Sequence, residues 1–240
     1  MSLRSSVIIV ASPRPRVGKT LLARLLVDYH LSEGRPVKAF DLNAGEVSLT
    51  QFLPRQAAPS GIADVQGQMA LFDSLIADDD IVKIVDVGHE SFESFFAVAH
   101  RIGLAEEARR RAIAPVILFM VAADRISVDA YRALRDRFPR ATLSPVYNEM
   151  LGSGQYRDKF PTAGSGAAQL RFPALAPGLR KYIEQPPFSF AGEQLANASN
   201  IPLDVHIELQ RWLRKIYLEF RELDLRVLLA DLQSSIGLRS

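Results

Sequence analysis

Residues Ser12 to Thr20 read SPRPRVGKT, so that an ammonium at Lys19 and a hydroxyl at Thr20 follow Gly18 directly and precede the helical run Leu21 to Leu26. That order gathers backbone N–H groups, a helix N-terminus and a lysine around one anion, which is what a phosphate cradle requires. In such a cradle Lys19 reaches the terminal phosphates and the Thr20 hydroxyl ligates Mg²⁺. The donors closest to the β-phosphate come from Arg16, Val17, Gly18, Lys19 and Thr20, none of which is proline, with Leu21 beginning the helix behind them. The loop departs from G-x-x-x-x-G-K-[ST] because Pro13 occupies the first glycine position. Pro15 adds a second fixed φ without an N–H, so the cradle is expected in a stiffer form. The plainer alternative is a strand-to-helix turn that Gly18 merely relieves.

The elements that must position this loop follow from hydrophobic period. Short β-branched runs alternate with longer segments of helical period, the pattern of a mainly parallel sheet covered by helices on both faces. Strands are expected at Val7 to Ala11, Val37 to Leu42, Ile81 to Val87, Val116 to Ala122, Thr142 to Tyr147 and Leu170 to Phe172. Helices are expected at Lys19 to Leu31, Ala63 to Ala77, Ser91 to Ile102, Ser127 to Arg137, Gly178 to Glu184 and Asp204 to about Leu232. In the last of these, Leu209, Trp212, Leu213, Ile216, Phe220, Leu223 and Val227 recur at three and four, forming a stripe that packs on the sheet. Pro145 inside the fifth strand argues for an edge or irregular end. The stretch Gly152 to Gly166, with little apolar content, reads as a mobile surface loop or lid.

Composition bounds the rest. A chain of 240 residues that is 48% apolar and 23% charged is able to bury a full core, and residues 1–240 read as a single domain. A formal net charge of +2 is too small to demand a nucleic-acid or membrane partner. There is no cysteine and the four histidines are scattered, which excludes a disulfide framework and a thiolate metal site and fits a reducing cytoplasm. Arg4 precedes the first apolar run, but Pro13, Arg14 and Arg16 interrupt that run well short of a signal-peptide or membrane length.

The sequence resembles the ParA/MinD family of deviant-Walker ATPases, a branch that also includes the cobyrinic-acid and dethiobiotin synthetases. The resemblance runs through most of the chain and is sharpest in SPRPRVGKT, KAFDLNAGEVSLTQFL, IVKIVDVGHE, PVYNEM and ALAPGLRKYIEQPPFSF. It implies an α/β three-layer P-loop NTPase fold, bound ATP and Mg²⁺, and a homodimer with nucleotide at its interface. The family's signature basic residue, normally Lys, falls on Arg14, which would reach across the dimer to the partner's nucleotide. The first Asp of its D-x-D segment falls on Asp41, in the Mg²⁺ shell, but the second falls on Asn43, whose amide takes no proton and puts hydrolysis in doubt. Asp86 fits the Walker-B Asp that accepts from Mg²⁺-bound water, with Gly88 as the switch glycine. His89 and Glu90 follow, and either could orient water, although a cap or surface role is the commoner use. Asn148 falls where the family reads adenine, and the Pro-rich segment Phe172 to Gly178 on the loop that closes over the base.

Three functions are then in competition. The leading one is a ParA/MinD-like, nucleotide-dependent dimeric switch in partitioning or positioning, with DNA or a partner protein as target and weak ATPase activity. The second is an ATP-dependent synthetase resembling dethiobiotin synthetase. The third is a non-hydrolysing DNA-associated scaffold using Arg109, Arg110 and Arg111 or Arg211, Arg214 and Lys215. Three adjacent arginines cannot share one helix face, so the first run is better read as a solvated helix end. The segment Leu223 to Arg239 is conceivable as a membrane-seeking amphipathic helix, but its apolar residues read as continuing the core stripe.

Overall fold

In the computed structural model, residues 6–43, 48–111, 113, 115–191 and 201–237 are described. Arg4, positions 44–47 of the second-strand segment, and Leu238 with Arg239 lie outside them. The strands are β1 (Ser6–Ala11), β2 (Val37–Asp41), β3 (Ala57–Pro59), β4 (Val82–Asp86), β5 (Pro115–Met120), β6 (Thr142–Asn148) and β7 (Leu170–Phe172). The helices are α1 (Lys19–Ser32), α2 (Leu49–Phe52), α3 (Val65–Leu75), α4 (Phe92–Arg101), α5 (Leu104–Arg110), α6 (Arg125–Arg137), α7 (Pro177–Ile183) and α8 (Leu203–Gly237).

The seven strands form one sheet in the order β3-β2-β4-β1-β5-β6-β7, with every strand pair parallel. Parallel strands are buried on both faces, and the period of two divides their side chains between two cores. Ile8, Val10, Leu118 and Met120 join α1, α7 and the buried stripe of α8 on one side. Val7, Ile9, Ala11, Ile117 and Phe119 join α3, α4 and α6 on the other. This is the expected three-layer α/β architecture. The connection leaving the central strand β1 runs toward β2, while that leaving its neighbour β5 runs the opposite way to β6, opening a crevice at the carboxyl ends of the strands, where ligands bind in such folds.

Three expectations need correction. β6 is not an edge strand: β5 pairs it from Thr142, while β7 joins its other side only from Val146 onward, just past Pro145. The missing N–H therefore falls in the gap between the outer partner of Leu143, Ala163, and the start of β7. The stretch 152–166 is anchored rather than loose, with Phe160 fully buried, Tyr131 Oη donating to Pro161 O at 2.6 Å, and an antiparallel bridge between Leu143 and Ala163. The α8 stripe is buried only as far as Leu223, with Val227 partly covered, and Leu225, Leu228, Leu229 and Leu232 are exposed. Arg110 and Arg111 pair with Glu107 at the end of α5, the solvated arrangement expected. Among the described residues no helix is long and apolar enough to cross a membrane.

Candidate functional site

The first residue past β1, Ser12, is buried, and the chain then turns over the carboxyl end of the sheet into α1. Gly18 sits at the N-cap of α1 with φ +101°, a conformation natural to glycine and costly for other residues. A Cβ there would also stand 3.1 Å from Asn148 Nδ2 and 3.2 Å from Phe172 Cε1. Gly18 is thus required both by its φ and by the close approach of β6 and β7.

Lys19 closes the loop. Its side chain is buried, and Nζ donates to Arg14 O at 2.7 Å, spanning the turn from helix back to loop. Burial lowers its pKa to about 8, opposed by the negative charge of Asp86, so the ammonium persists at neutral pH. One residue on, Thr20 Oγ1 donates to Asp86 Oδ2 at 2.7 Å. Asp86, at the end of β4, is completely buried, and its Oδ1 has no hydrogen-bond partner. Burial pushes that carboxyl up to about 7; the hydrogen bond from Thr20 opposes the rise, nearby Asp41 adds to it and Lys19 opposes it.

Asp41 is brought beside Asp86, its register partner on the adjacent strand. Its oxygens are engaged: Oδ1 accepts from Asn43 N at 3.0 Å, and Oδ2 from Thr50 N at 2.9 Å and Thr50 Oγ1 at 3.1 Å. In this arrangement Asp41 ties the start of α2 to the end of β2. Asn148 is likewise engaged, with Nδ2 donating to Val17 O at 3.1 Å and Oδ1 accepting from Met150 N at 3.0 Å. It fastens the loop to the end of β6. Arg14 lies on its own chain, with Nε 2.9 Å from Asp124 Oδ2, a half-exposed pair worth less than about 1 kcal/mol. Asp124 is also the N-cap of α6, accepting from Ser127 N. Sequence reasoning missed Asp124, although Asp three residues before Ser127 at a helix start was a readable cap signal. His89 and Glu90 are exposed in the turn before α4.

Gly88 lies between the two carboxylate-bearing strand ends. A Cβ on it would meet Leu42 O at 2.8 Å and Asn43 Cα at 3.1 Å. Gly88→Ala should therefore part the ends of β2 and β4 and cost about 1–3 kcal/mol, read as a lower urea midpoint with an unchanged m-value.

The sequence matches no protein-family model and no curated relative. Among solved structures, the chain is similar to a nucleotide-binding protein from Archaeoglobus fulgidus in complex with ADP, at 12% identity over 89% of this chain and 90% of that one, with a TM-score of 0.45. It is also similar to the MinC:MinD cell division protein complex of Aquifex aeolicus, at 15% identity over 88% and 95%, TM-score 0.48. A third is the signal recognition particle 54 kDa protein of Aeropyrum pernix K1 in complex with GDP, at 17% identity over 88% of this chain and 49% of that one, TM-score 0.46. These are likenesses only, and the chemistry assigned below rests on the geometry of this chain.

That geometry fits Mg²⁺. The buried, unpartnered Oδ1 of Asp86 and the Thr20 hydroxyl, which keeps its lone pairs while donating, are hard oxygen donors side by side. Magnesium is held through one or two protein oxygens plus waters and phosphates, so a three-carboxylate cage is not needed, and none occurs among the described residues. Beside the loop, a cleft of about 530 Å³ is lined by Asp124, Arg125, Asp129, Arg132, Tyr156 and Lys159; Lys19, Thr20 and Asp86 do not line it.

Proposed function

We propose that the chain binds Mg-ATP on the loop Ser12–Thr20 and acts as a ParA/MinD-like dimeric switch whose ATP-bound form engages DNA or a partner protein in the cytoplasm. The observation that carries the reading is the closed loop: a buried lysine spanning it, a threonine on a buried aspartate, and that aspartate with one oxygen unspent. Bound magnesium would neutralise phosphate charge. Thr20 and Asp86 would hold it, Lys19 would pair with terminal phosphate oxygens, and the N–H groups from Arg16 to Thr20 would cradle the β-phosphate. The weak Arg14–Asp124 pair leaves Arg14 free to exchange partners at little cost on dimer closure. Asn43 supplies no base, so turnover is slow and the nucleotide state itself is the signal.

Calorimetry with Mg-ATP and Mg-ADP, run beside Lys19→Ala and light scattering, tests this. A charge-assisted hydrogen bond of roughly 1.5–3 kcal/mol predicts an affinity loss of about ten- to a hundredfold in the variant, and a shift to dimer mass with ATP in the wild type. Absence of heat with either nucleotide would exclude the reading.

The cleft beside the loop favours a second reading, an ATP-dependent synthetase, because Arg125, Arg132 and Lys159 there suit a carboxylate-bearing substrate. ATP turnover that rises only when small carboxylic acids are added would select it over the switch.

A further inference from the structure

The loop offers no backbone donor at Pro13 or Pro15 and carries two guanidinium groups, Arg14 and Arg16. These two arginines are placed differently. Arg14 is held by Asp124. Arg16 is exposed, and among the described residues its side chain makes no hydrogen bond or ion pair. Its backbone is in the left-handed region, φ 58°, one of two non-glycine residues with positive φ among the described residues. A long side chain held there is strained, and strain kept at a ligand loop points to use of the side chain. A glycine would supply the same backbone N–H without strain, so the N–H alone does not account for an arginine at this position.

We propose that the guanidinium of Arg16 is a direct phosphate ligand of the polyphosphate tail, its fork of donors standing in for the N–H groups that Pro13 and Pro15 cannot offer. This rests on the reading that the loop binds a nucleotide. Arg16 lies three residues before the buried Lys19, at the crest of the turn that Lys19 closes onto Arg14 O. The loop then addresses one polyanion with three kinds of donor: the backbone from Val17 to Thr20, the Lys19 ammonium and a planar guanidinium.

The test is calorimetry with Mg-ATP and with Mg-ADP on the wild type, Arg16→Gly, Arg16→Lys and Arg140→Gly, with the melting temperature of each in the absence of nucleotide. Arg140, exposed just before β6 begins, carries an equal charge at the amino end of the strands, opposite the loop. Arg16→Gly should melt at or above the wild type, since it relieves the strained backbone, yet bind Mg-ATP at least tenfold more weakly. Arg16→Lys should fall between, keeping charge but losing the fork, and Arg140→Gly should bind within twofold of the wild type. An Arg16→Gly protein that binds Mg-ATP within twofold of the wild type overturns the inference and leaves the nucleotide reading standing. An equal loss in Arg140→Gly also overturns it, because the effect is then one of net charge. A wild type without affinity for either nucleotide overturns both.

Discussion

Arg24→Ala should destabilise the protein by about 3–5 kcal/mol, the cost of breaking a buried charge arrangement by removing one partner. Arg24 lies on α1 and is 2% exposed. One Nη donates to Ile183 O at 2.8 Å and to Phe188 O at 3.3 Å, and the guanidinium lies 3.6 Å from the centroid of Phe52, with Phe190 at 5.0 Å. One turn on, buried Asp28 accepts from Ser189 Oγ at 2.7 Å and from Phe190 N at 2.5 Å. Together the two residues clamp the segment after α7 against α1, and each stabilises the other's charge: burial pulls the Arg24 pKa down to about 9 and pushes Asp28 up to about 6, and each partner opposes the other's shift. Truncation to alanine orphans two carbonyls, removes a cation from three aromatic rings and leaves Asp28 without its compensating charge. Arg24→Met keeps most of the volume and should cost less. Urea denaturation of the two variants checks this: equal losses would show that the retained volume contributes nothing and that the hydrogen bonds and charge alone hold the segment.

That clamp marks the limit of what the sequence displays. Strand-loop-helix order and the GKT ending are local signals, and the structure places β1, the loop and α1 as they predict, with element bounds within about two residues. Two short elements, α2 and β3, were not foreseen: α2 has four residues, too few for a helical period to register, and β3 reads Ala-Ala-Pro, without the β-branched or aromatic residues that mark a strand. α5 was missed because the left-handed Gly103 breaks α4 from it, and the chain there reads as one helix ending at Ile102. Arg24, Asp28 and His30 are polar residues on a helix that local rules would turn to solvent. Arg24 and Asp28 are buried because a segment about 160 residues later lies across them, and no local pattern announces that. In the site, spacing alone marks Lys19 and Thr20. That Asn148 spends its amide fastening the loop, and that Asp41 lies beside Asp86, depends on how the strands are placed side by side, which periodicity does not give.

Asp86→Asn should change stability by an amount that depends on pH. With its folded pKa raised from 3.8 to about 7, Asp86 binds a proton more tightly in the folded chain than in the unfolded one. Its contribution is therefore fully present below pH 4 and is lost as pH rises through 7, at about 1.4 kcal/mol per pH unit over that window. Asparagine removes the titration and can hydrogen-bond Thr20 with the hydroxyl reversed. Without divalent cations, the variant should match the wild type near pH 4 and exceed it near pH 8 by up to about 4 kcal/mol. Other groups bend the wild-type curve: Asp28, raised to about 6, adds the same sign between pH 4 and 6, and His30, buried and pushed down to about 3, acts oppositely between pH 3 and 6.5. Both persist in the variant and cancel in the difference between the two proteins, which reports Asp86 together with its charge coupling to Lys19 and Asp41. Chemical denaturation at half-unit steps from pH 4 to 8 measures it, and a difference that does not change with pH would mean that the Asp86 carboxylate is not strained by its burial. The same substitution should abolish any rise in melting temperature caused by Mg²⁺ with ATP, since the oxygen left unspent in the folded chain is the one the cation would take.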